Sequence, residues 1–210
     1  MTKLLIATNN KGKLLEIQAL LHDINVELLT PAQVNLNLEV DETGKTYAEN
    51  AALKGVAFAR GSGLLTLADD SGLEVQALDG LPGIISARFA PLPDATDADR
   101  RAYLLMRLRD KPRPWLARFR CVVALVRTGH NSVSDTSAPD VRFTEGICPG
   151  EIIPTERGQN GFGYDPIFLL PEIGRTMAEL TMEEKNHISH RARAIQAALP
   201  ILIDMIRNFA

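Results

Sequence analysis

Apolar residues come in short runs broken by polar turns, and their spacing lays out the elements in order. Lys3 to Ala7 (KLLIA) reads as a short buried strand. Thr8, Asn9 and Asn10 follow as turn and cap residues. Lys13 to Leu21 then places Leu14, Ile17 and Leu21 at helical spacing, so the chain opens as strand, polar turn, helix. Asn25 to Leu29 predicts a second strand. Thr46 to Arg60 predicts a helix, with Thr46 and Glu49 in the capping-box pattern and Gly61-Ser62-Gly63 as its stop. Leu64 to Ala68 predicts a buried strand that ends at the acidic pair Asp69-Asp70, and Leu73 to Gln76 a short strand beyond it. Ala95 to Leu108 predicts a helix with Thr96 as N-cap. Arg118 to Arg127 (RFRCVVALVR) is the strongest strand pattern, and Val141 to Ile153 is its expected antiparallel partner across the turn-rich segment Thr128 to Asp140. Pro166 to Leu170 predicts one more strand. From Ser189 the pattern is helical, with Ile195, Leu199, Leu202 and Ile206 in one stripe and Pro200 as a place for a kink.

Strands and helices mixed in this way, with a hairpin among them, predict an α/β fold with a mixed sheet. No shift in composition marks a boundary, so residues 1–210 are expected to form a single domain. The 210 residues are 45% hydrophobic and 23% charged, an ordinary globular balance. A net charge of -3 gives no general pull toward nucleic acid or an anionic membrane. Two cysteines, Cys121 and Cys148, make no disulfide framework and no zinc-ligand spacing. No signal peptide is read at the N-terminus, and no apolar run approaches the roughly 20 residues that span a bilayer. The expected location is the cytoplasm.

Several polar groups bear on chemistry. Asp69-Asp70-Ser71-Gly72 has two readings: a solvated turn, or a Mg²⁺ site, since Mg²⁺ takes carboxylates together with phosphate and water oxygens. Glu39, Asp41 and Glu42 form a second acidic group that either lies in solvent before the Thr46 helix or completes that site. Lys11 and Lys13, with Thr8, Asn9 and Asn10, stand at a helix N-terminus, which suits a phosphate but equally describes a well-capped helix with solvated lysines. Lys54 reads as a surface lysine of its helix. Lys185, His187, His190, Arg191 and Arg193 crowd together as either a solvated face or a clamp on phosphates. GQNGFGYDPIF, residues 158–168, is either a glycine-rich turn with core aromatics or a ligand loop that stacks on a planar base.

Three other chemistries drop out. Gly44-Lys45-Thr46 imitates the end of a P-loop, but Glu39 stands where the first glycine belongs. The glycines of 158–163 are spaced GxxGxG rather than as a dinucleotide fingerprint. Ser71 lacks the GxSxG of a serine hydrolase.

Taken together, TNNKGKLLEI, ETGKTYAENAALK, LADDSGLEVQALDGLPGIISARFA, GFGYDPIF and SHRARA resemble, in order, the motifs of the inosine/xanthosine triphosphate pyrophosphatases. The resemblance implies an elongated, two-lobed α/β fold with a long curved mixed sheet, flanking helices and a central nucleotide-binding cleft, in a homodimer. It implies Mg²⁺-dependent hydrolysis of ITP, dITP and XTP to the monophosphate and pyrophosphate, which cleanses the nucleotide pool. By that pattern Asp70 is the catalytic base and a metal residue, with Glu42 as the second metal-associated acid. Thr8, Asn9, Asn10, Lys13 and Lys54 align with phosphate and substrate contacts, and Ser71 also touches substrate. Phe162, Gly163, Tyr164 and Asp165 would hold the base, and Lys185, His190 and Arg191 would complete the nucleotide site. A donor from His190-Arg191 would reward the 6-oxo group of hypoxanthine or xanthine. The alternatives are a pyrophosphatase for modified pyrimidine nucleotides, a non-enzymatic nucleotide-binding module, and an RNA-binding or structural protein that uses the basic tail.

Overall fold

The structure, a computed structural model, describes residues 1–128 and 138–207. Most of the expected Thr128–Asp140 turn therefore lies outside the described residues. Seven strands form one mixed sheet: β1 (Thr2–Ile6), β2 (Val26–Leu29), β3 (Leu65–Val75), β4 (Trp115–Arg127), β5 (Asp140–Ile152), β6 (Phe168–Leu170) and β7 (Arg175–Thr176), in the order β2-β1-β3-β4-β5-β6-β7. β1 pairs in parallel with β2 and β3, while β5–β6 and β6–β7 are antiparallel. Five α-helices accompany them: α1 (Lys11–Leu20), α2 (Tyr47–Ser62), α3 (Asp97–Leu108), α4 (Met182–Ile188) and α5 (His190–Arg207). The α/β class and mixed sheet expected from the pattern are thus present. Among the described residues no helix is long and apolar enough to cross a membrane.

Contacts group the chain into two compact units. The first comprises residues 1–70, 121–146 and 191–210, and the second 71–120 and 147–190. The first unit shows the two-residue period of a strand directly. Leu4 and Ile6 of β1, Leu65 and Leu67 of β3, and Cys121, Val123 and Leu125 of β4 pack with Ile17 and Leu21 and with Ile195, Ala198 and Leu202 of α5. The alternate residues look the other way: Leu5, Ala7 and Ala68 meet Phe58 of α2, and Ala124 and Val126 meet Ala51 and Ala59 of the same helix. So α1 and α5 cover one face of these strands and α2 covers the other. α2 comes close because Gly55 has no side chain; a Cβ there would lie 2.6 Å from Val126 Cγ2.

The second unit has its own core, in which Leu73, Val75, Leu104, Leu108, Trp115, Phe119, Ile167 and Phe168 are all buried. α3 begins as predicted, with Thr96 and Asp99 in a complete capping box. At α2 only half of the box forms. Thr46 accepts the Glu49 N–H at 3.1 Å, but the Glu49 carboxylate takes the N–H of Lys45 instead.

Two further expectations are corrected. The acidic pair does not close a strand, because β3 runs unbroken from Leu65 through Asp69 and Asp70 to Val75. Asp165–Ile167 is a 3-10 turn, which leaves only Phe168–Leu170 as strand. The helical tail expected from Ser189 is α5, which continues through Pro200, and a separate short helix, α4, precedes it.

Candidate active site

Asp69 and Asp70 are both buried, at 2% and 4% exposure, which removes the solvated-turn reading. Strand alternation sends the two side chains to opposite faces of β3. Asp69 follows Leu65 and Leu67 toward α1 and α5. Its Oδ2 lies 3.1 Å from Lys13 Nζ, accepts from Nε and Nη2 of Arg191 at 3.3 and 3.2 Å, and is 3.8 Å from the Cys121 sulfur. Arg191 is itself buried and also pairs with Glu16 of α1. Asp70 follows Ala68 toward α2. Its Oδ2 accepts from Asn50 Nδ2 at 3.2 Å, and its Oδ1 lies 3.5 Å from Lys54 Nζ. Lys54 in turn holds Glu42 at 2.7 Å.

These separate partners push the two carboxyls apart. Burial works to raise Asp69, but Lys13 and Arg191 more than offset it and hold the group well below the usual aspartate range. Burial dominates at Asp70, and Glu42 and Asp69 add to it; against the pull of Lys54 and Lys13, the group ends above its ordinary value. Lys54 would be lowered by burial, yet the acids around it keep it above an ordinary lysine and so charged. Two adjacent carboxylates with separated affinities for a proton are the usual mark of divided roles: a permanent anion and a base.

The loop that carries Glu42 is tied to the same point. Asn50 Oδ1 accepts the N–H of Gly44 at 2.8 Å while its amide group donates to Asp70. A Cβ on Gly44 would sit 2.6 Å from that oxygen, so the glycine that imitates a P-loop is required by close approach. Glu39 and Asp41 are exposed, so of the second acidic group it is Glu42 that the structure brings to Asp70 through Lys54.

At the start of α1, Asn10 is the N-cap, its Oδ1 accepting the Lys13 N–H at 3.0 Å. Thr8 Oγ1 accepts the Asn10 N–H, and Asn9 donates to the carbonyl of Leu38 at 3.3 Å. Asn9 and Asn10 remain exposed. Thr8, Asn9, Asn10, Lys13, Glu42, Lys54, Asp70 and Arg191 thus belong to the first unit, and Ser71 continues β3 into the second.

The second unit gathers the remaining residues. Asp165 is a buried hub: its Oδ2 takes Lys185 Nζ at 2.6 Å and the Phe162 N–H at 2.9 Å. The Lys185 ammonium stands 5.1 Å from the centre of the Phe162 ring. Tyr164 is buried and its hydroxyl donates to the Ser86 carbonyl at 3.0 Å, so its polar end serves the loop. The His190 ring is stacked on Phe119, with centroids 4.8 Å apart and planes 15° from parallel.

Arg191, expected at the substrate, is 1% exposed with its fork on Asp69 and Glu16. Sequence reasoning missed Glu16, Asn50, Asp97, Arg101 and Phe119. Glu16 was discoverable as a charge beside Ile17 on the apolar side of α1, since both are buried. The others carry no local signal.

Asp70 and Glu42 offer two carboxylates converging on one cation, the Lys54 ammonium. Oδ1 of Asp69 is buried with no hydrogen-bond partner among the described residues. Among those residues no group of three or more His, Cys, Asp or Glu could cage an ion. Hard oxygen donors, few of them from protein, fit Mg²⁺, which usually keeps waters and phosphate oxygens in its shell.

Comparison with known proteins shows the family of the chain. Residues 4–201 match the model of the Ham1 family. A dITP/XTP pyrophosphatase of Desulforamulus reducens is 44% identical over 95% of each chain, and one of a Nostoc species is 45% identical over the whole of both. A solved HAM1 protein from Coxiella burnetii superposes with a TM-score of 0.83 at 39% identity, covering 97% of this chain and all of its own. The chain belongs to the Ham1 family.

Proposed function

We propose that this chain hydrolyses non-canonical purine nucleoside triphosphates (ITP, dITP and XTP) to the monophosphate and pyrophosphate. It is a nucleoside triphosphate pyrophosphatase, a hydrolase of phosphoanhydride bonds, as its relatives are named. The observation that carries the reading is the division of labour between Asp69 and Asp70 on opposite faces of β3, in a chain so similar to those relatives.

In this proposal Asp70 takes the proton of the water that attacks the α-phosphorus, and pyrophosphate leaves. Mg²⁺, held by Asp70 and Glu42, would neutralise phosphate oxygens and lower the pKa of a bound water. Lys54 keeps Glu42 and Asp70 in register. Lys13 and the free N–H groups at the start of α1, with Thr8, Asn9 and Asn10, neutralise and orient phosphates. Ser71, beside Asp70, adds a hydroxyl. The Phe162 ring gives a purine a face to stack on, within the loop formed with Gly163, Tyr164 and Asp165. Lys185 and His190 supply donors for the 6-oxo group, which adenine lacks. The working state is a homodimer in the cytoplasm.

The test is pyrophosphate release from ITP, XTP, GTP, ATP and dTTP, each with and without Mg²⁺. Strong release from ITP and XTP only, abolished by chelation, is the expected result. Release from pyrimidine nucleotides instead would overturn the substrate and keep the chemistry. Binding of ITP without turnover would overturn the enzyme reading.

A further inference from the structure

Gly163 is held by both ends of its backbone from one helix. Its N–H donates to Asp97 Oδ2 at 2.7 Å, and its carbonyl accepts from Arg101 Nη1 at 2.9 Å. Asp97 and Arg101 lie four residues apart at the start of α3, so they stand on the same side of the helix. Each is fixed in its own right. Arg101 forks onto Glu156 through Nε and Nη2 at 2.7 and 3.0 Å, and the second oxygen of Asp97 pairs with Arg100. The bidentate Arg101–Glu156 pair and the charge-assisted bond from Gly163 are the strong kinds of polar contact.

Nothing in the chemistry of a pyrophosphatase asks for this grip. Asp97 and Arg101 belong to none of the motifs that carry the family resemblance. A glycine at φ +62 is conformationally free, and the space where its Cβ would be is open. Pinning both its N–H and its carbonyl fixes the two peptide groups that join Phe162 to Tyr164. On the Phe162 side the loop is closed by Asp165, and on the Tyr164 side by Ser86. With Gly163 fixed, the ring of Phe162 has little backbone freedom left.

We infer that Asp97 and Arg101 are positioning residues for recognition of the purine base: through Gly163 they set the plane of the Phe162 ring. This rests on the proposed function, in which that ring carries the base. The half-buried Asp97 carboxylate is consistent with the grip. Burial would raise it, but the Gly163 N–H and Arg100 outweigh that and hold it below the ordinary value.

The experiment compares Asp97→Ala, Asp97→Asn, Arg101→Ala and Arg101→Lys in the full chain. KM and kcat for ITP are measured beside the inhibition constant of inorganic tripolyphosphate, which has no base. Each alanine variant is expected to raise KM roughly tenfold with kcat nearly kept, the size of one lost charge-assisted bond. The tripolyphosphate constant should stay put. Asparagine still offers an oxygen to the Gly163 N–H, and lysine a donor to its carbonyl, so these variants should recover most of the loss. Thr96 and Asp99 cap α3 in every variant, so the helix start is kept. A KM that does not move, a fall in kcat alone, or a tripolyphosphate constant that moves with KM would each overturn the inference. Hydrogen exchange at the Gly163 amide tests the grip without substrate: it should be protected in the parent and fast in Asp97→Ala, and equal rates would overturn it. If the parent fails to turn over ITP while the Gly163 amide behaves as expected, the fault lies with the proposed function and not with the grip.

Discussion

Asp69 and Asp70 are neighbours in the chain that share no partner within bonding distance: Asp69 Oδ2 meets Lys13 Nζ at 3.1 Å, and Asp70 Oδ2 meets Asn50 Nδ2 at 3.2 Å on the other face of the strand. Like charges three or four bonds from each other's backbone would repel. Here each has its own cation, so the repulsion is offset twice. The two aspartates should therefore fail in different ways. Asp70→Asn should leave a folded protein with turnover of ITP down at least about 100-fold, the cost of one lost charge contact at the reacting group. Asp69→Asn should chiefly destabilise, by about 3 kcal/mol, because Lys13 and Arg191 lose a buried counter-charge. Steady-state rates together with urea unfolding separate the two; equal profiles would remove the division of roles.

Arg191 joins Asp69 to Glu16 with almost no exposure. Arg191→Met fills the space but takes the guanidinium away from two buried carboxylates and leaves Asp69 with Lys13 alone of the two cations on its Oδ2. It should cost about 3–5 kcal/mol. Adding Glu16→Gln removes one of those two buried charges and should recover part of that loss, which a set of urea midpoints would show.

Gly161 has φ +76, and a Cβ there would fall 2.1 Å from Asp165 Oδ2. Gly161→Ala must therefore displace the carboxylate that holds Lys185 and the Phe162 N–H. KM for ITP should rise by tenfold or so, about 1.4 kcal/mol. Alanine at a positive φ also costs stability, so folding is checked by urea unfolding, and an unchanged KM in a folded variant would refute the role of Asp165 as hub.

Asp97 provides a pH test. Its carboxyl is held below the ordinary 3.8 in the fold. A lowered acid stabilises where it is ionised in both states, and that gain is lost as pH falls through the folded value. The parent should therefore exceed Asp97→Asn in Tm at neutral pH. The gap should close in acid, once the pH has fallen below the ordinary aspartate value. A gap independent of pH would show that charge plays no part.

Much of this molecule was readable from local pattern. Strand β1, the caps at Thr46 and Thr96 and the stripe on α5 depend on residues a few positions apart, and all were found. The acidic pair was misplaced for the opposite reason. Its acceptability inside a strand depends on Arg191, 122 residues away, and on cations from two helices. No window of sequence contains them, so a strand end looked necessary. The motif residues could be listed from the sequence, but their partners could not. Nothing near Gly163 announces that Asp97 binds its N–H across 66 residues. α4 went unseen because seven residues, five of them charged or polar, hold too little apolar periodicity to register.

The division of the chain has a consequence for its birth on the ribosome. The first unit takes residues 1–70 and 121–146 but also needs α5, from 191 onward, whereas the second is assembled from residues between 71 and 190. During synthesis every segment of the second unit has been made before the first receives its last helix. Until α5 emerges, Leu4, Ile6, Leu67 and Val123 lack the side chains that cover them, and Asp69 lacks Arg191. The unit that is started first is finished last, and Asp69 and Asp70 sit in it.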